Sequence, residues 1–173
     1  MLTNHHTKSH KKWYYLTALP VVGLLLLAFQ VSEFEHFAPS GEIPSMFPLP
    51  EQYKEEITWG FHEKAIHPFS KQETLHEGLD IAAPLGTPVF AVASGVIKKA
   101  ELLGGWGNLV VIEHADGYAS FYAHLEGFKV KSGDKVTKGQ VVATVGSTGI
   151  STGHHLHFEL RKEGVKVNPE EYY

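Results

Sequence analysis

The sequence predicts an all-β domain of many antiparallel strands behind one N-terminal apolar helix, and three observations carry that expectation. After residue 57, short β-branched and aromatic runs recur between glycine turns: "GTPVFAVASGVIKKAEL", "GNLVVIEH", "YASFYAHL", "KVTKGQVVATVG" and "HHLHFELR". No stretch in that region sustains a helical period. Near the start, "WYYLTALPVVGLLLLAFQV" runs from Trp13 to Val31 without a charge.

The elements are taken in chain order. Residues 1–12 read as a cytoplasmic leader carrying Lys8, Lys11 and Lys12, with His5, His6 and His10 read as solvated rather than metal-binding. Residues 13–31 are 19 residues long, against the roughly 20 that cross a bilayer. Lysines precede the run and Glu33 and Glu35 come after it, which places the N-terminus inside. Trp13, Tyr14 and Tyr15 suit the headgroup interface. A cleaved signal peptide is the competing reading, but "FQVSEFEHF" offers no small-x-small site after the run. The expectation is therefore a single-pass anchor in the cytoplasmic membrane with the rest of the chain outside. Residues 32–56 hold prolines at 39, 44, 48 and 50 and read as an extended linker. Residues 57–173 read as one β domain of a size that buries its own core.

Composition narrows the function. The 173 residues include no cysteine, so disulfides and thiolate metal sites are excluded. After position 32 the chain holds all 19 acidic residues against 12 of the 15 basic ones, a net −7. An acidic domain without a basic run is not a nucleic-acid binder. Twelve histidines turn attention to metal binding and acid–base chemistry.

Three catalytic patterns can be weighed. "HEKAIH", residues 62–67, spaces its histidines by five rather than the four that share a helix face, and Pro68 comes next. "GISTG", residues 149–153, has the letters of a serine-hydrolase elbow. The stretch after Ser151 reads as a strand, and no histidine comes after Glu159, so a turn is the better reading. The third pattern holds. Alternation along a strand points His155 and His157 together, with His154 and Leu156 opposite. Upstream, "HEGLDIAAPLGTPV" carries His76 and Asp80 about a glycine. Imidazole nitrogens and a carboxylate oxygen suit zinc, and three protein ligands leave a position open for catalysis. Between them, "FYAHLEGF" holds His124, which strict alternation puts on the face opposite Ala123 and Leu125.

At these residues the sequence resembles the lysostaphin-type, or LytM-like, zinc endopeptidases that hydrolyse peptidoglycan. The resemblance spans about 110 residues, through "HEGLDIAAPLGTPVFAVASGVI" and "GGWGNLVVIEHADGYASFYAHLEGFKVKSGDKVTKGQVVATVGSTGISTGHHLHFEL". It implies a two-layer antiparallel β-sheet fold with an open groove. It implies one Zn2+ per chain held by His76, Asp80 and His157, with His124 and His155 as the catalytic pair. The zinc would activate water, one histidine would act as general base, and the other would steady the oxyanion or protonate the leaving amine. The sequence does not divide those roles between them. The implied substrate is a cross-link or stem peptide of the cell wall, reached from the membrane anchor during wall remodelling. Asn108 and Tyr122 are candidates for the groove, but a turn and a core position suit them better. An extracytoplasmic scaffold with a protein partner, as in sporulation or division, is the alternative. "GDKVTKGQVVATVG" also resembles lipoyl and biotinyl carriers, yet it lacks their lysine-bearing tip.

Overall fold

Each of the quoted runs contains one or two strands in the computed structural model, which describes residues 42–66 and 70–173. The strands are β1 (Ile57–Trp59), β2 (Lys64–Ile66), β3 (Glu73–Leu75), β4 (Leu79–Ala82), β5 (Pro88–Phe90) and β6 (Gly95–Leu102). They continue as β7 (Asn108–His114), β8 (Tyr118–Phe128), β9 (Lys135–Val136), β10 (Val141–Val145), β11 (His155–Lys162) and β12 (Val165–Val167). The only helical pieces among the described residues are short 3-10 turns. None of these is long and apolar enough to cross a membrane. The leader and the apolar segment 13–31 lie outside the described residues.

The fold is all-β and antiparallel, as expected. The main sheet runs β1-β4-β11-β8-β7-β6-β9, while β2 and β3 form a separate hairpin. The long β8 joins two parts of the sheet. Its first residues pair with β7 and β11, and its last pair with β10, which also pairs with β5. The sheet's inner face therefore closes on one core. Leu79 and Ile81 from β4, Val110 and Ile112 from β7, and Leu156 and Phe158 from β11 meet Val89 and Val142 there. On the outer face Leu109, Val111 and Ala123 form a smaller cluster under Trp106 and Phe121. The candidate site residues of β4 and β11 stand on that outer face.

The segment expected as an unstructured linker is packed from Pro44 onward. Phe47 and Leu49 are 3% and 2% exposed within the core. The Ser45 amide donates to the Val92 carbonyl and the Phe90 amide to the Pro48 carbonyl, at 3.3 and 2.8 Å. The Phe47 ring meets Tyr173 edge-on at 5.1 Å. Proline spacing does mark an extended segment, because proline cannot join a ladder from its nitrogen. Alternation of Phe47 and Leu49 between those prolines makes the extended segment a strap on the core instead of a free tether.

One polar group is buried in the core with its partners. His114 donates from Nδ1 to the Ser94 carbonyl at 2.9 Å, and its Nε2 lies 2.7 Å from the Ser120 hydroxyl, which supplies the proton. Ser120 in turn lies 3.0 Å from the Tyr122 hydroxyl. Burial pushes the His114 pKa below its ordinary value, against the opposing pull of the Ser94 carbonyl and Glu42. Tyr122 is fully buried, a core residue as its run suggested.

Two outcomes test this packing. Phe47→Ala lowers unfolding free energy by about 3–5 kcal/mol in urea titrations of the full chain, whereas Leu102→Ala, at a site 73% exposed, changes it by no more than about 0.5 kcal/mol. The second outcome concerns pH. The unfolded chain takes a proton on His114 more readily than the folded one, so this contribution is complete above about pH 6.5 and is lost as pH falls below it. Parent stability therefore drops between about pH 6.5 and 5 more steeply than that of His114→Gln, by at most about 1.4 kcal/mol per pH unit. Parallel slopes for the two chains would show that His114 titrates normally in the fold.

Candidate metal centre and active site

Alternation on two paired strands builds the centre. In β11, Leu156, Phe158 and Leu160 enter the core, so His155, His157 and Glu159 take the other face. In β4, Leu79 and Ile81 do the same and leave Asp80 outward. The register then sets His157 directly across from Asp80. His76 joins them from the turn before β4. Gly78 permits this approach, because a Cβ there would lie 2.4 Å from the Phe158 carbonyl oxygen.

The three candidate ligand atoms converge. His76 Nε2 lies 3.2 Å from both His157 Nδ1 and Asp80 Oδ1, and the last two are 2.7 Å apart. Bonds of about 2.0–2.1 Å in a tetrahedral zinc site put ligand atoms about 3.3 Å from one another, so the set is nearly spaced for that ion. The far nitrogens explain which lone pairs are presented. His76 Nδ1 donates to the Gly60 carbonyl at 3.2 Å. His157 Nε2 stands 3.5 Å from Glu159 Oε1. With protons held on those outer nitrogens, each ring can offer a lone pair to a cation at one shared point, in place of the hydrogen bond it gives Asp80 without one. Trp59 stacks on His76 with centroids 4.2 Å apart and planes 10° from parallel, and Trp106 meets the His157 ring at 5.5 Å. This donor set, with backed imidazoles, fits zinc.

The local field also favours a cation. Burial works against ionisation of Asp80, but hydrogen bonds from His157 and His76 outweigh it and hold the carboxyl far below the usual range. Burial likewise disfavours a charged His157, yet Asp80 and Glu159 raise its pKa to about 9. Glu159 is 1% exposed. Arg161 donates to its Oε2 from two nitrogens at 2.6 and 3.0 Å and lies over the Phe121 ring at 3.9 Å. Lys166 stands 3.6 Å from Oε1 and also pairs with Glu77.

His124 and His155 complete the groove floor, with ring centroids 4.8 Å apart. His124 does not take the face that strict alternation gave it. The β7 partners step from Tyr122–Val110 to Leu125–Asn108, so β8 spends one extra residue there. His124 adopts φ +59° within this bulge. The bulge returns Leu125 to the core and turns His124 to the groove beside His155 and His157. A left-handed histidine costs on the order of 1–3 kcal/mol and persists only where neighbours enforce it. Its Nδ1 donates to the Thr148 carbonyl at 2.8 Å. His155 Nδ1 donates to the Gly153 carbonyl at 2.9 Å, and its Nε2 lies 3.7 Å from Asp80 Oδ2. Both rings therefore keep Nε2 as an acceptor. Burial lowers the His124 pKa to about 4 despite the Thr148 carbonyl, so that ring is neutral at pH 7.

These side chains line an open groove of about 530 Å³ with apolar walls from Trp59, Ile66, Leu75, Trp106 and Ile150. The other patterns fall away. Ser151 donates to the Gly153 carbonyl at 2.8 Å and stands 3.4 Å from a His155 nitrogen whose proton is already committed. His62 is exposed, and His67 lies outside the described residues. Asn108 lies at the start of β7 and spends its amide on two backbone carbonyls. Glu159 was missed in the sequence although the same alternation pointed to it, two residues beyond His157. Trp59 and Thr148 carried no signal there, because their contacts depend on loops distant in sequence.

Comparison with known proteins adds independent findings. The model for Peptidase family M23 matches residues 74–169, a stretch that contains all five candidate residues. The chain is 51% identical over 104 residues to the DD-carboxypeptidase/endopeptidase Mpg of Neisseria meningitidis serogroup B, covering 60% of this chain and 24% of that protein. It thus spans about a quarter of the length of that curated relative. Among solved structures, a zinc-containing peptidase from Vibrio cholerae superposes with TM-score 0.68 at 36% identity, over 74% of this chain and 39% of that one. A chain from the SpoIIIAH and SpoIIQ complex superposes with TM-score 0.64 at 30% identity, over 74% of this chain and 99% of that one.

The backing of His157 yields a measurable outcome. Glu159→Gln weakens zinc binding about 10–100-fold in competition with a chromophoric chelator, while His76→Ala abolishes stoichiometric binding. Equal affinity of Glu159→Gln and the parent would mean that Glu159 orients nothing.

Proposed function

The chain belongs to Peptidase family M23, whose lysostaphin-type members are peptidoglycan endopeptidases, and from that premise we propose that it is a zinc metalloendopeptidase of cell-wall peptides. The observation that carries the proposal is the convergence of His76 Nε2, Asp80 Oδ1 and His157 Nδ1 beside a second pair of histidines with free acceptor nitrogens. In this reading His76, Asp80 and His157 hold zinc, which supplies Lewis acidity to a water molecule and a peptide carbonyl.

The protein's own residues move the proton. His155, with Nδ1–H tied to Gly153, presents Nε2 beside Asp80 and takes a proton from the attacking water as its oxygen adds to the carbonyl carbon. The carbon–nitrogen bond breaks as that proton is returned, through the histidine pair, to the leaving nitrogen. His124 suits the return step, because a ring with a pKa of about 4 releases a proton readily. The apolar walls hold the peptide strand over this floor.

We further place the domain outside the cytoplasmic membrane, held there by residues 13–31 as a single-pass anchor with residues 1–12 inside. The support is the charge asymmetry about that uncharged run. A wall substrate within reach of the membrane is the consequence. The likeness to a chain of the SpoIIIAH and SpoIIQ complex supports a second reading, an extracytoplasmic scaffold with a protein partner.

The test uses the full chain, loaded with zinc and incubated with purified peptidoglycan of defined cross-link type, with released ends identified by mass spectrometry. New amino termini appear with the parent. His124→Ala and His155→Ala each retain one zinc and lose turnover by at least about 100-fold. Full activity in either variant would refute the role given to it, and no cleavage of any wall type by the zinc-loaded parent would favour the scaffold.

A further inference from the structure

The left-handed His124 is held by two residues outside the groove floor. Thr148 binds the bulge from three directions. Its carbonyl accepts from His124 Nδ1 at 2.8 Å, its amide donates to the His124 carbonyl at 3.4 Å, and its hydroxyl donates to the Leu125 carbonyl at 2.8 Å. The same hydroxyl accepts from the Asn108 amide at 2.9 Å. The Asn108 carboxamide then donates to the carbonyls of Leu125 and Glu126 at 3.0 and 3.1 Å. The Leu125 carbonyl is thus gripped by both side chains and the Glu126 carbonyl by Asn108.

The two loops are pressed together by glycines. A Cβ on Gly149 would lie 2.3 Å from the Gly107 nitrogen, and one on Gly107, where φ is +65°, would lie 2.4 Å from the Thr148 carbonyl carbon. The Ile150 amide also donates to the Gly105 carbonyl at 2.8 Å. Neither Thr148 nor Asn108 is among the residues that line the groove, and neither belongs to the candidate metal cluster.

We propose that the Thr148 hydroxyl and the Asn108 carboxamide form a latch that keeps His124 in its left-handed conformation, with Nε2 towards the groove. Resting on the hydrolytic reading above, the latch sets turnover and leaves metal binding alone. Thr148 and Asn108 are positioning residues, since they act through the His124 ring and its backbone. A polar side chain in the loop after β10 and another at the start of β7 together decide where a residue of β8 points.

Thr148→Val, which keeps the shape and removes the hydroxyl, tests this in the full zinc-loaded chain. It lowers kcat about 10–100-fold with KM within about threefold, as displacement of a catalytic group does. Thr148→Ser restores turnover, and Asn108→Ala behaves like the valine variant. Zinc affinity stays at the parent value in all three, because no ligand is touched. A second readout needs no substrate. In the parent, the His124 nitrogen spectrum shows a single tautomer with Nδ1 protonated and slow to exchange; in Thr148→Val that proton exchanges faster and the tautomers mix. An unchanged His124 spectrum in Thr148→Val would overturn the latch. So would parent-like kcat in Thr148→Val where His124→Ala is inactive. Full activity in His124→Ala would instead overturn the hydrolytic role of that ring, with the spectrum still deciding whether the latch exists.

Discussion

The antiparallel register between β4 and β11 is the constraint on which the site depends. It sets His157 across from Asp80 while Leu79, Ile81, Leu156 and Phe158 enter the core. Because side chains alternate with period two, a slip of one residue would carry Asp80 inward and a leucine into the groove. The core that locks this register is therefore the same structure that assembles the polar centre. No separate device is required to bring together residues 77 positions apart. Gly78 is the remaining condition, since only a residue without a side chain lets the turn after His76 lie so close to β11.

Within that frame, the histidines divide into two kinds by what stands behind them. His76 and His157 have their outer nitrogens committed to the Gly60 carbonyl and the Glu159 carboxylate, which leaves their inner nitrogens able to offer lone pairs to a cation at a point shared with Asp80. His124 and His155 have Nδ1 committed to loop carbonyls and offer Nε2 to the groove. Four chemically identical side chains thus acquire distinct work from their hydrogen-bond acceptors. Carboxylates also separate the two kinds: Asp80 in front and Glu159 behind raise the His157 pKa to about 9 against the cost of burial, whereas burial lowers that of His124 to about 4 despite the Thr148 carbonyl.

Much of this was legible in the chain, and the exceptions have physical causes. The β-branched and aromatic runs located the region of β5 to β11, though two of them each merged a pair of strands, and period-two reasoning paired His155 with His157. It went astray at His124, because a bulge is written in hydrogen bonds with β7 and the loop after β10, which no local pattern reveals. It also read residues 32–56 as an extended linker, although the segment is packed from Pro44 onward. Four prolines do dictate an extended backbone, but whether an extended segment is free or packed depends on a matching apolar trough elsewhere, and here Phe47 and Leu49 find one. Glu159 lay within reach of the same alternation rule that located His157. Its significance comes from Arg161 and Lys166 closing over it, which is a tertiary fact.

The packed strap has a mechanical consequence. β1 is the edge strand beside β4, the strand that bears Asp80. A tensile load entering from the N-terminal side would, in a bare sheet, peel β1 and next disturb β4. Here it meets Phe47 and Leu49 first, wedged into the interior and braced against Tyr173 at the far end of the chain. Force is shed into the core as shear before it reaches the edge of the sheet, so the geometry around Asp80 is insulated from tension applied ahead of the strap.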